Sequence, residues 1–213
     1  MRSSDLDYIS HIPTIDPRLL GDLLKESTHH RVYEYGKDEI LKVPRRRFNF
    51  LYSERSHLEA DLAIIERYFP GLAVHTLVHS SENHDHHCIV QEKLLGYKVT
   101  PDTVKKMKDD FRTLFQQNSV LLKEKGASLD YLGGAGLEAS WGKLFGGEDV
   151  PFFSNMTIIR QGKTYKIKLL DTELLRIYPP KLNLQDILRY LLSLGSFMIS
   201  EFFLRIYFYS TVR

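Results

Sequence analysis

The sequence predicts an α+β protein of two lobes, a small antiparallel sheet with one helix followed by a shortened, mainly helical lobe. Short apolar runs separated by turn residues dominate residues 32–94, whereas apolar residues at helical spacing dominate residues 102–209. A chain of 213 residues is long enough for two small lobes that share a cleft. We therefore predict lobes at residues 1–94 and 95–213, with a hinge near residues 94–96.

Composition narrows the class of protein. An apolar content of 43% and an aromatic content of 12% are typical of a globular chain rather than a disordered one. The net charge of +2 gives no reason to expect a nucleic-acid partner. Cys88 is the only cysteine, which excludes an internal disulfide and favours a reducing, cytoplasmic location. The acidic start of the chain lacks the apolar segment of a secretory signal.

The first lobe is predicted from four strand-like runs and two helical segments. In chain order these are a short amphipathic helix, two strands joined by a turn, a longer helix and two further strands: residues 17–25, 32–35, 39–43, 53–69, 72–78 and 88–94. Gly36 supplies the positive φ that a tight turn between the first two strands needs. Ser56 and Glu59 have the spacing of a capping box for a later start of the longer helix.

The second lobe opens with a long predicted helix at residues 102–125, which Gly126 stops. A Gly-rich irregular segment follows at residues 130–140. The terminal helix has Asn183 as its predicted N-cap, and its apolar stretch covers residues 187–209. Three charged residues interrupt that stretch, so we expect a buried core helix rather than a membrane span. An interfacial helix resting on a membrane is the alternative.

A predicted hairpin in the second lobe ends on an acid. Its turn is at residues 161–163, and its second strand alternates apolar residues with lysines. Asn155 stands before the first strand, and Asp171 follows the second. Because the open ends of a hairpin are adjacent, an amide and a carboxylate there can share one Mg²⁺, as in phosphotransferases. An Asp171 that only starts a turn is the alternative.

Lys42 lies in EILKVP, an apolar strand in which a central lysine is unexpected. A lysine that points inward needs an anionic partner, and Glu59 on the following helix is the best candidate. A pair of this kind holds the amine towards nucleotide phosphates. An exposed strand lysine and a solvated helix acid are the alternatives.

The order of these residues resembles the protein-kinase-like superfamily. The features of this chain that match the family occur in the family's order: Lys42, Glu59, the strand at residues 88–94, a long helix, Asn155 and Asp171. The segment HCIVQEKLLGY looks like the fifth strand and hinge of that family, with Gln91 at the gatekeeper position. The resemblance covers roughly residues 32–173 and depends on order and spacing rather than on one strong motif.

The resemblance implies a kinase, a transferase that uses ATP and Mg²⁺ to phosphorylate a hydroxyl group. The acceptor could be a small molecule, a glycan or a protein. In the implied roles, Lys42 binds the phosphates and Glu59 orients its amine. Backbone groups of Glu92 and Leu94 contact the adenine. Asn155 and Asp171 hold the Mg²⁺.

The catalytic base is the least determined of the implied roles. The family's His-Arg-Asp triplet is missing, and GASLDYLGG stands in its place, so Asp130 is the candidate that accepts the hydroxyl proton. Asp130 precedes Asn155 by 25 positions, whereas Asp149 is nearer and is the rival base. The family's Asp-Phe-Gly triplet has become Asp171-Thr172-Glu173.

The departures leave a second hypothesis open, a catalytically inactive kinase-like module that binds a nucleotide or a partner protein. The Gly-rich nucleotide loop is absent, since only Gly36 lies in the turn before the Lys42 strand. Few residues follow Asp171, so compact small-molecule and lipopolysaccharide kinases are a closer analogy than protein kinases. An unrelated α+β binding domain is a third hypothesis.

The histidine-rich segment HSSENHDHH offers a different chemistry, since His79 and His84–His87 include the ligand types of Zn²⁺ or Ni²⁺. No spaced second pair fixes a tetrahedral site, so we expect a solvated hairpin tip.

Overall fold

The computed structural model describes residues 3–26, 30–45, 55–83, 85–131 and 155–177. In the C-terminal segment it also describes a set of helical residues: Ile187, Tyr190, Leu191, Leu194, Gly195, Phe197, Met198 and Phe202. The predicted N-cap Asn183, the Gly-rich segment at residues 132–140 and the rival base Asp149 lie outside the described residues. The chain divides into unit 1, Met1–Ala60 with Val74–Leu94, and unit 2, Asp61–Ala73 with Leu95–Arg213.

Unit 1 is built on a five-stranded antiparallel sheet. Its elements are helix α1 (Ser3–Ser10) and strands β1 (Leu20–Glu26), β2 (His30–Tyr35), β3 (Glu39–Pro44), β4 (Thr76–Ser80) and β5 (His87–Glu92). The strands lie in the order β1-β2-β3-β5-β4, so β3 is the central strand. Gly36, with φ of 61°, forms the predicted turn between β2 and β3.

One face of this sheet carries the apolar core of unit 1. Helix α1 and the segment after it cover that face with Tyr8, Ile9, Ile12 and Ile15. They pack on alternate residues of three strands: Tyr33, Tyr35, Leu41, Val43, Cys88 and Val90. Alternation places Ile40 and Lys42 on the opposite face of β3, as the sequence pattern predicted.

The helix predicted at residues 17–25 is wrong. A single 3₁₀ turn at Pro17–Leu19, capped by the carboxylate of Asp16, leads directly into strand β1. β1 pairs antiparallel with β2, from Leu20 opposite Tyr35 to Glu26 opposite Arg31, with two irregularities in register. The segment has helical spacing, but the ladder with β2 supplies hydrogen bonds that an isolated short helix cannot match.

Unit 2 combines helices with two small sheets. Helix α2 (Arg55–Tyr68) begins in the residues of unit 1 and ends in those of unit 2. The other elements are helices α3 (Pro101–Lys106) and α4 (Lys108–Lys125) and strands β6 (Tyr97–Lys98), β7 (Ala127–Leu129), β8 (Met156–Gln161), β9 (Thr164–Leu169) and β10 (Leu174–Arg176). One sheet has the order β6-β8-β9, and β10 pairs with β7 in the other.

The predicted helix ends are found close to their expected positions. α2 stops before Pro70 and Gly71, and Gly71 has a φ of 70°. Gly126 ends α4 in the left-handed conformation, and its amide donates to the carbonyl of Leu122. The single helix predicted at residues 102–125 is two helices, because the chain bends at Met107.

The core of unit 2 is a second apolar cluster. It joins the C-terminal half of α2, both helices of the 101–125 region and the inner faces of the strands: Ile65, Phe69, Leu72, Val99, Val104, Met107, Phe111, Leu114, Leu121, Ala127, Leu129, Tyr131, Met156, Ile158, Leu169 and Leu174. Among the residues that the structure describes, no helix is long and apolar enough to cross a bilayer.

Candidate active site

The predicted hairpin exists and positions two of the candidate site residues. Strands β8 and β9 pair from Gln161 opposite Thr164 to Met156 opposite Leu169, and Gly162 turns the chain with a φ of 61°. Beyond the last pair, the amide of Leu170 donates to the carbonyl of Asn155 at 2.7 Å. Asn155 and the residue before Asp171 are therefore joined across the open end of the hairpin.

Asn155 also reaches the candidate base. Its side-chain Nδ2 donates to the backbone carbonyl of Asp130 at 3.1 Å. Asp130 directly follows β7 and is half-buried, as are Asn155 and Asp171. Residues 25 positions apart in the sequence thus lie together, and the segments that carry Asp130, Asn155 and Asp171 converge at one end of the hairpin.

Strand β10 brings the chain back beside Asp130. It pairs antiparallel with β7, with Leu174 opposite Leu129. Between β9 and β10 the chain makes a short turn, in which the carboxylate Oδ1 of Asp171 accepts from the amide of Glu173 at 3.4 Å. The turn expected as the alternative role of Asp171 is therefore present, and it lies within the candidate site.

Two buried polar residues that sequence reasoning missed support this region. The amide group of Asn118 on α4 donates to Ser128 Oγ and accepts from the amide of Leu129, both at 2.9 Å, and so fixes β7 just before Asp130. Asp61 on α2 accepts from the amide of Leu174 at 2.9 Å. A polar residue at a core-facing helical position was the available signal, since α4 and α2 carry these residues on their buried faces.

The other candidates belong to unit 1. Lys42 is half-buried in the central strand β3, where its register partners are Val32 and Ile89. Gln91 shares that face of the sheet, is buried, and donates from Nε2 to Thr76 Oγ1 at 2.9 Å. Glu59 is exposed on α2. A Lys42–Glu59 pair remains a prediction.

The predicted hinge carries two backbone candidates. The amide of Glu92 donates to the carbonyl of His75 at 3.0 Å, at the end of strand β5. Leu94 follows two residues later and is half-buried. Their contact with adenine remains a prediction.

The histidine-rich segment is described except for His84. His86 stacks on the ring of His11, with ring centroids 4.8 Å apart, and His79 Nδ1 lies 2.8 Å from Thr14 Oγ1. The described part of the chain holds no group of three or more His, Cys, Asp or Glu residues that could bind a metal ion. These histidines therefore contact the N-terminal segment of unit 1.

No protein-family model and no curated protein matches the chain. Among solved structures, it is similar to a Legionella pneumophila kinase bound to IP6, with 16% sequence identity and a TM-score of 0.44. The match covers 87% of this chain and 59% of the kinase, so the chain spans less than two thirds of that protein's length.

Proposed function

We propose that this chain is an ATP-dependent phosphotransferase of the kinase-like kind, which transfers a phosphoryl group to a hydroxyl acceptor. The observation that supports it is the convergence of Asp130, Asn155 and Asp171 at the open end of the β8–β9 hairpin. Kinases need a carboxylate that accepts the hydroxyl proton and an amide–carboxylate couple that holds the metal. The three side chains have those chemical types.

The donor set suits Mg²⁺. Asn155 uses its Nδ2 to donate to the Asp130 carbonyl, which leaves the amide oxygen as the atom that would meet a cation. Together with the carboxylate of Asp171 it offers oxygen ligands, the kind that Mg²⁺ prefers. Mg²⁺ is usually held by one or two carboxylates and by substrate phosphates, so this site needs no larger cluster of acids. Bound there, Mg²⁺ would neutralise charge on the phosphates.

Asp130 is the proposed base. Its carboxylate would accept the proton of the acceptor hydroxyl as that oxygen attacks the terminal phosphorus of ATP, and the bond from this phosphorus to the bridging oxygen would break to release ADP. The Asn155 hydrogen bond to the Asp130 backbone would hold this residue in place relative to the metal couple. Asp149 remains the rival base.

Unit 1 supplies the nucleotide-binding residues of the proposal. Lys42 would bind the phosphates, with Glu59 orienting its amine. Glu92 and Leu94 would meet the adenine through backbone groups, and the Glu92 amide already donates to His75, so its carbonyl is the group for this role. Lys42 belongs to unit 1 and Asp171 to unit 2. The proposal assigns both residues to MgATP, so binding of MgATP is the measurement that tests it.

The test is a titration of the protein with ATP, with and without Mg²⁺. The melting temperature and the heat of binding, measured by calorimetry, are its two readouts. We expect stabilisation that requires Mg²⁺ and is lost in Asp171→Ala. Asp110→Ala, which removes an exposed acid from α4, is the matched control and should bind as the wild type does. No binding at millimolar ATP with Mg²⁺ would refute the proposal.

A catalytically inactive nucleotide-binding module is the second candidate. One observation favours it: the chain turns between β2 and β3 within three residues, with Gly36 as its glycine, so few backbone amides are available to hold phosphate. Turnover of ATP separates the two candidates. Loss of turnover in Asp130→Ala supports the enzyme, and loss in Asp149→Ala alone moves the base to Asp149.

A further inference from the structure

Asp61 is a buried acid that is bonded to a distant part of the chain. Its side chain lies on the inner face of α2, and the residue is 2% exposed. Its Oδ2 accepts from the backbone amide of Leu174, 113 positions later, at 2.9 Å. Over residues 57–68 of α2, the other two buried residues are the apolar Leu58 and Ile65.

A carboxylate at this position is costly, because burial removes the water that stabilises its charge. An apolar residue would continue the apolar face of α2 without that penalty. The bond from the Leu174 amide satisfies one oxygen of this buried side chain. The chain therefore places a buried acceptor at the point where Leu174 enters strand β10.

Leu174 is a critical position for the candidate site. It lies three residues after Asp171, and in the β7–β10 ladder it pairs with Leu129, the residue before Asp130. Fixing the amide of Leu174 therefore fixes the ends of both segments that carry the candidate carboxylates.

The turn after α2 holds the strand on the other side of Asp171. The amide of Leu169 donates to the carbonyl of Leu72 at 2.9 Å, and Lys168 Nζ donates to the carbonyl of Gly71 at 2.7 Å. The chain is therefore held by a backbone hydrogen bond on each side of Asp171, at Leu169 before it and at Leu174 after it. The acceptors of both bonds belong to one stretch of chain, α2 and the turn that follows it.

We propose that Asp61 is a positioning residue of the phosphotransferase site, which it serves by holding the turn that contains Asp171. The inference rests on the proposed function, since it assigns Asp61 a role in metal binding by Asp171. The hydrogen bond, rather than the packing of the side chain, is the feature that matters. Asn can accept the same bond through its amide oxygen, whereas Leu fills similar space and accepts none.

The experiment compares Asp61→Leu and Asp61→Asn in the full chain, with Mn²⁺ as the probe in the presence of ATP. Electron paramagnetic resonance gives the affinity for Mn²⁺, and hydrogen exchange reports on the Leu174 amide. Loss of a group that orients a metal ligand typically weakens metal binding about 10- to 100-fold. We expect that loss in Asp61→Leu, with faster exchange at Leu174, and a return to near wild-type values in Asp61→Asn.

Val104→Ala is the control for a general loss of stability. Val104 is buried in the same apolar core on α3, and its truncation breaks no hydrogen bond to the candidate site. Val104→Ala should lower the melting temperature. Because substitutions at independent sites hardly affect one another, it should leave the affinity for Mn²⁺ within about two- to threefold of the wild-type value.

The outcomes separate the two proposals. If the wild-type protein binds Mn²⁺ with ATP and Asp61→Leu binds equally well, the role of Asp61 is refuted while the function stands. Equal losses in Asp61→Leu and Asp61→Asn would also refute it, because only one of them lacks the bond. Fast exchange at Leu174 in the wild-type protein would do the same, even if Asp61→Leu fails to fold. If the wild type binds no Mn²⁺ with ATP, the function itself fails, and the role of Asp61 with it.

Discussion

Among the described residues, each unit buries one carboxylate, and the two have different partners. In unit 1, Asp5 on α1 forms an ion pair with Arg31 and accepts from the hydroxyl of Tyr33 at 2.5 Å. In unit 2, Asp61 accepts from the backbone amide of Leu174. Asp5 thus joins a helix to the side chains of one strand, whereas Asp61 joins a helix to the main chain beside the candidate site.

The two units maintain their geometry by different interactions. The sheet of unit 1 is set by four antiparallel ladders, three of which connect strands that are consecutive in the sequence, and the Asp5–Arg31 pair attaches helix α1 to the sheet. The candidate site of unit 2 consists of short turns. Backbone amides that donate to Asp61, to the carbonyl of Leu72 and to Asn118 hold these turns, together with the bond that Asn155 donates to Asp130. We infer that substitution of the buried acid of unit 1 acts mainly on stability, while substitution of the buried polar residues of unit 2 also acts on the turns that carry Asp130 and Asp171.

The largest effect on stability is expected from Asp5→Ala. The substitution removes the buried partner of Arg31, which keeps the partly exposed Glu26, and it removes the Asp5 acceptor of the Tyr33 hydroxyl, so we expect a cost of about 3 kcal/mol. Burial and the nearby Asp5 carboxylate also raise the pKa of the Cys88 thiol in the same core, so labelling of Cys88 reports on opening of unit 1. Urea unfolding and the rate of thiol labelling measure the effect. Asp7→Ala, an exposed acid on the same helix, should change stability by less than about 0.5 kcal/mol.

Asn118→Ala tests unit 2. It leaves the buried amide of Leu129 without its Asn118 acceptor, which costs about 1–3 kcal/mol, and it removes the bond to Ser128 Oγ, which still donates to the carbonyl of Leu129. We expect any ATP turnover to fall as well, because β7 leads into Asp130. Its neighbour Ser119 is exposed, so Ser119→Ala is the control. Unchanged turnover in a stable Asn118→Ala protein would contradict the comparison.

Gly96→Ala should have a smaller but specific effect. A Cβ at this position would lie 2.0 Å from the Oγ1 of Thr157, so the backbone near β6 would have to move. Overpacking of this kind costs about 1–3 kcal/mol. Thr157→Ala in the same protein should recover much of that loss, which a double-mutant cycle measures. Gly195→Ala, where a Cβ meets open space, should be neutral or slightly stabilising.

The smallest effect is a pH dependence in unit 1. Burial, with a contribution from His86, lowers the pKa of His87 below its ordinary value of 6.5. As the pH falls below 6.5, the unfolded chain takes up this proton before the native protein does. Neutral His87 therefore contributes stability above pH 6.5 that is lost on acidification. His87→Gln should make stability between pH 7 and pH 5 less steep, and identical slopes would contradict this.

Local patterns predicted much of the fold. The β2–β3 and β8–β9 hairpins and the ends of α2 and α4 follow from alternation, turn glycines and helix stops within each segment. Strand β1 was mistaken for a helix because its spacing is helical, and only the ladder with β2 decides the matter. α1, β7 and β10 were missed because each is short and is stabilised by partners far along the chain.

The residue types of the candidate site were predictable from the sequence, but the buried hydrogen bonds that hold its turns were not. Asn155 and Asp171 follow from the hairpin, and the structure adds Asp130 through a hydrogen bond across 25 positions that spacing alone argued against. Asp61 and Asn118 are polar residues on buried helix faces, and their partners are backbone amides, which carry no sequence signal. The roles of Lys42, Glu59, Glu92 and Leu94 remain predictions.

Cys88 gives this protein a practical advantage. Its sulfur is enclosed in the core between α1 and the sheet, and the chain has no second cysteine. A cysteine introduced at an exposed position of each unit, such as Asp22 in unit 1 and Asp110 in unit 2, could therefore carry a fluorophore without removal of the native thiol. Energy transfer between two such dyes would report in solution on whether ATP with Mg²⁺ changes the distance between the two labelled positions.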